Sequence, residues 1–344
     1  MLFICYFAVF LVNNVAEEKK IYKNDEYGFE YIEYLKDNKT IRVYTKEENN
    51  KTVLKLSNFK SNNRMIKEVL KDLGMGENFI DKTNEEKLSD YALADSIVGI
   101  SSYIKINEDG LKTVVSEEEA IENSKKINNS RAVIITPVPG FPEEPEEERY
   151  VERYDDEYMH MYLLIVHLEG ERYSFSLDID WLTSPFFRFE DSIGICAEEI
   201  TVINSTKSGY FSYGCMTINT ITGATTNTFS DSIDLEFQSV TNSRWAGAAG
   251  SFNLPLDIAY DNYSVQYFNM IAHCEFEANI AHPTLATYFN VIGTYDHTVL
   301  SLPFDATISF GYNNISAGIG FSPMIGVERR SIETGEPIYY VPNN

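Results

Sequence analysis

Tyr173, Phe175, Leu177, Ile179 and Trp181 alternate with Arg172, Ser174, Ser176, Asp178 and Asp180. Successive side chains of an extended chain point to opposite faces, so this run makes a strand with one apolar face. On a helix the same residues would scatter round the axis and bury nothing. The pattern predicts a strand buried on one side and wet on the other. The preceding run, Tyr158 to Leu168, is apolar on both faces and predicts a central strand, joined through Glu169-Gly170 into a hairpin. Alternation returns at Ile233, Leu235 and Phe237, at Met270, Ala272, Cys274, Phe276 and Ala278, at Ile308 and Phe310, and from Ile315 to Phe321. Short strands at this spacing, with no helical pattern between them, predict that residues 158–344 form an all-β antiparallel sandwich, jelly-roll-like or immunoglobulin-like.

The first half has a different character. Ile41–Thr45 and Thr52–Leu56 predict a hairpin around Glu47-Glu48-Asn49-Asn50. Met65, Ile66, Val69, Leu70 and Leu73 share one helical face, with Asn62 or Asn63 as a start and Gly74 as a stop. Thr83 with Glu86, and Ser116 with Glu119, have the spacing of helix-opening capping boxes. Between them Ile97–Ile106 and Leu111–Val115 predict strands joined at Glu108-Asp109-Gly110. Residues 17–136 thus predict a small α+β module. The stretch Val69–Tyr91, the segment Ser101–Gly110 and the run Val114–Glu122 together resemble a module of uncharacterised secreted proteins of low-GC Gram-positive bacteria. That resemblance covers about a third of the chain; it implies secretion and carries no catalytic residues. Residues 137–157 follow as a spacer, in which Pro137, Pro139, Pro142 and Pro145 stiffen the chain and the interleaved glutamates extend it by like-charge repulsion.

Residues 1–16 have the outline of a signal peptide: an apolar run from Leu2 to Val12, then small and polar residues before Glu17. The run falls short of the roughly 20 residues of a transmembrane helix, so no stable span is expected. No Lys or Arg precedes it, which a start codon placed too late would explain; the competing reading is a buried strand or helix. The expected location is extracellular or at the cell envelope.

A formal net charge of −24 repels phosphates, and no Lys/Arg cluster offsets it, so nucleic acid is excluded as a partner. Lys207 is the only lysine after Lys126. Beyond the signal-like segment, Cys196, Cys215 and Cys274 form no CxxC pair, so neither a zinc site nor a disulfide framework is indicated, and no cofactor is expected.

Four constellations bear on function. His273, Glu275 and Glu277 alternate on one strand and are all potential metal ligands, against the ordinary reading of a solvent-facing polar strip. Asp178, Asp180, Glu190 and Asp191 supply carboxylates of the kind that flank a glycosidic bond, near Phe186, Phe187 and Phe189. Tyr210, Phe211 and Tyr213 are candidates to stack on a sugar or anchor a protein. Thr217–Ser230 carries no charge, as a membrane-inserting hairpin would, yet it lacks strict alternation and reads more simply as a long polar loop. No nucleophile motif is present. The sequence therefore points first to a secreted, non-catalytic binding protein for carbohydrate or a cell-surface protein. A β-sandwich glycan hydrolase is the second reading and a pore-forming or membrane-damaging protein the third.

Overall fold

The computed structural model describes residues 19–45, 59–107, 111–131, 149–150, 156–185, 188, 190–241, 244–259, 262–298, 308–310, 319–321, 327–334 and 337–341. The signal-like segment, the run Thr52–Leu56 and most of the 137–157 spacer lie outside these residues. The first half contributes β1 (Lys20–Asn24), β2 (Phe29–Lys36), β3 (Lys39–Thr45), helices α1 (Phe59–Asp72), α2 (Glu77–Lys82) and α3 (Glu85–Leu93), then β4 (Ser96–Ile106), β5 (Lys112–Val115) and α4 (Glu117–Arg131). After β6 (Arg149–Tyr150) come β7 (Glu157–His167), β8 (Arg172–Trp181), β9 (Glu190–Glu198), β10 (Ile200–Asn219), β11 (Thr225–Asp234), β12 (Phe237–Thr241) and β13 (Trp245–Asn253). The chain continues through β14 (Ile258–Ala259), β15 (Tyr263–Ile280), β16 (Thr287–Phe289), β17 (Val291–Thr298), β18 (Ile308–Phe310), β19 (Ile319–Phe321), β20 (Val327–Glu333) and β21 (Ile338–Tyr340).

The described residues are mostly antiparallel β-structure arranged like a sandwich. The larger sheet runs β1-β2-β3-β4-β7-β8-β15-β10-β11, and the smaller one runs β12-β13-β9-β17-β20. Their facing sides share one core, in which Leu163, Phe175, Leu177 and Phe276 of the larger sheet pack with Ile193, Ile195 and Tyr295 of the smaller. Strands β7 and β8 pair from Met159↔Trp181 to His167↔Tyr173 around a Gly170 at φ 62°, the hairpin the sequence predicts.

The two halves of the chain share a sheet. Strand β4 pairs with β7 from Ser96↔His167 to Ile106↔Glu157, so the 137–157 boundary falls between strands that are hydrogen-bonded neighbours. A strand that is apolar on both faces, as β7 is, needs neighbours on both edges and cover on both sides, and β4 supplies one edge. Likewise β3 pairs with β2 and β4.

Helices α1–α3 cover the opposite side of the larger sheet. Met65, Ile66, Val69, Leu70 and Leu73 form the buried stripe read from the sequence and pack with Phe79, Leu88 and Tyr91 on Ile97, Leu164 and Val166. Gly74 at φ 101° ends α1, and a Cβ there would meet Arg42 Nη1 at 2.7 Å. The cap of α3 is Asn84, whose Oδ1 accepts from Lys87 N–H at 2.8 Å; Thr83 instead closes α2. Ser116 caps α4 as expected, its Oγ accepting from Glu119 N–H at 3.1 Å.

This cover overturns the wet face expected for β8. Ser174, Ser176 and Asp178 are buried, as is His273 on β15. Alternation specifies two faces, but whether the polar one meets water depends on what packs over it.

Candidate functional site

The most distinctive surface is the outer end of the array β15-β10-β11. No Asp, Glu, Lys or Arg occurs from Ser208 to Ser230, nor from Tyr263 to Cys274, and these segments are hydrogen-bonded neighbours. Thr217–Ser230 is therefore a strand, a turn and a strand, and the expectation of a long polar loop gives way. The turn is built by Asn219. Its Oδ1 accepts from Ile221 N–H at 3.0 Å and Thr222 N–H at 2.9 Å, its N–H donates to Ala224 O at 2.9 Å, and Gly223 takes φ 70°. That local bonding holds Ile221 outward, 68% exposed, beside Tyr263, which pairs with Asn219 and is 42% exposed.

Register gives the hairpin two unlike faces that neither strand shows alone. Phe211, Tyr213 and Cys215 stand opposite Ile233, Asp231 and Phe229 on one side; Ser212, Gly214 and Met216 stand opposite Ser232, Ser230 and Thr228 on the other. On β10 the first side is buried at Phe211 and at Cys215, whereas their partners on β11, Ile233 and Phe229, are 47% and 49% exposed. Every residue of β11 is exposed. Ile221 and Tyr263 lie at the turn end of the hairpin, and Phe229 and Ile233 follow along β11. Sequence reasoning misses them because the charge-free run extends beyond Thr217–Ser230, and its pairing with Tyr263–Cys274 is not local in sequence.

The aromatic trio is split by the pleat. Phe211 is fully buried, stacked on Phe252 with centroids 4.7 Å apart, and is withdrawn as a ligand contact. Tyr213 shares its side and donates to Asp231 Oδ2 at 3.3 Å. Tyr210 lies on the other side, stacked on His273 at 5.1 Å with Lys82 Nζ 3.9 Å from its ring centre. The three do not form one platform.

Under the helices runs a polar row, buried except at the half-buried Tyr210: Ser101, Tyr162, Asp178, His273 and Tyr210 are successive cross-strand partners on β4, β7, β8, β15 and β10. His273 Nδ1 lies 2.5 Å from Asp178 Oδ1 and its Nε2 3.2 Å from Glu275 Oε2. Glu275 also pairs with Lys87 of α3 and accepts from Ser208 Oγ at 2.9 Å. Burial alone would lower the imidazole, but the two carboxylates outweigh it and lift His273 to about 9. Burial would raise Glu275, but the His273 hydrogen bond and the Lys87 charge hold it well below the usual range. Asp178 is raised by burial, which exceeds the lowering by His273; burial and the Asp178 charge lift Asp180 to about 6.

These bonds answer the metal expectation. His273 and Glu275 are committed to each other, to Asp178 and to Lys87, while Glu277 is held by Arg172 at 2.8 Å and 2.6 Å. Among the described residues no group of three or more His, Cys, Asp and Glu side chains is placed to hold a metal ion. The solvent-facing alternative fails as well, because α2 and α3 cover His273 and Glu275. A cation from α3 neutralises the strip instead.

The four carboxylates suited to glycan hydrolysis are likewise not assembled. Asp178 and Asp180 stand on the helix side of β8, whereas Glu190 and Asp191 open β9 in the other sheet. Asp191 is fully buried, where it accepts from Tyr295 OH and lies 3.0 Å from His297 Nδ1. Tyr295 in turn packs on Trp181 with ring centroids 5.3 Å apart, which places this cluster in the core between the sheets.

No family model matches the sequence, and no curated protein matches it. Among solved structures the chain is similar to Clostridium perfringens delta-toxin, at 7% identity over 55% of this chain and 87% of that one, with a TM-score of 0.20. It is also similar to a protein described as "Pore forming protein", at 8% identity over 57% of this chain and 100% of that one, TM-score 0.16. A third is an endo-1,4-beta-D-xylanase of Clostridium thermocellum, at 7% identity over 40% of this chain and 25% of that one, TM-score 0.11. Likenesses this distant carry no argument about fold or activity.

Proposed function

We propose that the protein acts at or outside the cell envelope by binding and disrupting lipid bilayers, with the β10–β11 turn and the adjoining end of β15 as its membrane contact. The supporting observation is the charge-free stretch shared by three neighbouring strands, Ser208–Ser230 and Tyr263–Cys274, with Ile221, Phe229 and Tyr263 exposed on it. A strand crosses the hydrocarbon region in roughly 9–11 residues, and charge-free Ser208–Asn219 is long enough to do so. The pleat sets Phe211, Tyr213, Cys215 and Phe229 on one side, alongside Asp231, and the hydroxyl-rich residues Ser212, Thr228, Ser230 and Ser232 on the other, an arrangement that suits strands meeting lipid on one face and water on the other. A tyrosine at the rim suits the interface, where an amphipathic ring has both phases within reach. No helix among the described residues is long and apolar enough to cross a membrane.

The test is flotation of the full chain with phosphatidylcholine vesicles, together with release of an entrapped dye. Binding and release are expected, with both reduced by at least tenfold in Ile221→Asp and unchanged in Leu93→Asp, an equally exposed leucine on α3. Because the chain carries a net charge of −24, vesicles rich in anionic lipid should bind less well. Absence of vesicle binding, or equal release by Ile221→Asp, would refute the proposal.

A further inference from the structure

Among the described residues β1 and β11 are the two ends of the larger sheet, each hydrogen-bonded along one edge only. Edge strands are ordinarily protected by lysine, proline, a bulge or a covering element, because their free N–H and C=O groups template the addition of another strand. Strand β11 has no lysine or proline, and each of its residues is exposed. On β1 all residues but Asn24 are exposed, and Ile21 is 67% exposed.

We infer that the partner for β11 is β1 of a second copy of this chain. Every pairing from β1 to β11 is antiparallel, and the eight steps between these nine strands leave β1 and β11 running in the same direction. Two copies side by side in the same orientation therefore bring them together as a parallel pair.

Cross-strand partners also say which side each residue faces. Ile21, Ile32, Val43, Val98, Ile165, Phe175 and Phe276 are successive partners across the sheet, and Phe276 shares its side with Ala272, which leads through Phe211 to Ile233. Ile21 and Lys23 thus lie on the same side as Phe229 and Asp231. The two pairs have the same spacing and order, an apolar residue followed two positions later by a charge. Setting Ile21 opposite Phe229 places Lys23 opposite Asp231, with Tyr22 opposite Ser230 on the reverse side.

The charges oppose as well as the shapes. Strand β11 carries Asp231 and Asp234 and no cation, whereas β1 carries Lys20 and Lys23. Lys23 also reaches Glu30 on β2, and Asp231 accepts from Tyr213, so the contact joins two groups already held in place rather than loose side chains. Different patches meet at each junction, so the association is head to tail and continues into a ring or a filament. It does not depend on the membrane reading, since β11 and β1 are exposed in the free protein.

Sedimentation of the full chain over a concentration series, repeated as chemical cross-linking on phosphatidylcholine vesicles, tests the pairing. The unaltered chain should associate with rising concentration. Asp231→Lys and Lys23→Glu should each weaken association at least tenfold while circular dichroism stays unchanged. The chain carrying both reversals should recover it, because Lys at position 231 of one copy then meets Glu at position 23 of the next. A chain that stays monomeric in solution and on vesicles would overturn the inference, as would single reversals that associate normally or a double reversal that does not recover. Association without dye release would leave the pairing standing and reject the membrane reading; dye release by a monomer would do the opposite.

Discussion

Replacing His273 with glutamine should remove a pH dependence of stability as well as stability itself. The imidazole is lifted from an ordinary 6.5 to about 9 by Asp178 and Glu275, against its burial. A raised histidine stabilises the fold fully below its unfolded value and loses that contribution as the pH climbs through about 9. Each tenfold gain in proton affinity is worth about 1.4 kcal/mol, so the rise from 6.5 to about 9 bounds the contribution at about 3.5 kcal/mol. Asp178 returns part of it, because its own burial raises its carboxyl and makes the ionised form costly. A net of about 1–3 kcal/mol remains. Urea unfolding at pH 6 and pH 10 measures it: the unaltered protein should lose about 1–3 kcal/mol more over that interval than His273→Gln. Lys87 is held above its usual range by Tyr91 and Glu275 despite burial, so it stays charged across the window and does not mimic the effect. Equal pH slopes for the two proteins would refute the reasoning.

Three further perturbations test the packing. Gly247→Ala on β13 would drive a Cβ into Ile195 O and to 2.8 Å from Cys196 Cα; both are backbone of β9 and cannot yield cheaply, so thermal unfolding should show a loss of about 3 kcal/mol or more. Asp257→Ala would strand the buried Arg188, which donates to both Asp257 oxygens at 2.6 and 3.2 Å, and chemical denaturation should register a loss of about 3–5 kcal/mol. Phe175→Ala, at the centre of the shared core, should cost about 3–5 kcal/mol by the same measurement, with vesicle flotation of the remaining folded protein unchanged.

The helix stripe from Met65 to Leu73, the Ser116 cap and the β7–β8 hairpin were all legible, because each is set by spacing within a few residues. Asn84 took the cap expected of Thr83 because α2 ends on Thr83, and one residue cannot close one helix and open the next. The proposed contact surface was legible only as composition. That Ser208–Ser230 and Tyr263–Cys274 lack charge can be counted, but that they adjoin depends on pairings such as Asn219↔Tyr263, across a separation no local pattern spans. Phe211 shows the reverse error: an aromatic in a Tyr-rich run reads as a contact, and only the register of β10 turns it into the core.

By itself the sequence determined the cleanly alternating strands such as β8 and β15, the apolar side of each, and the strong net negative charge, because period and charge act locally or by simple sum. Tertiary structure alone decided that the two halves share one sheet and that the polar side of β8 and β15 lies under helices, where Asp178, His273, Glu275 and Lys87 neutralise one another. It also decided that, among the described residues, the larger sheet ends in a hairpin whose last strand, β11, is exposed and paired along one edge. The period of a strand says that it has two faces and two edges; what covers each is settled by segments far away in the chain.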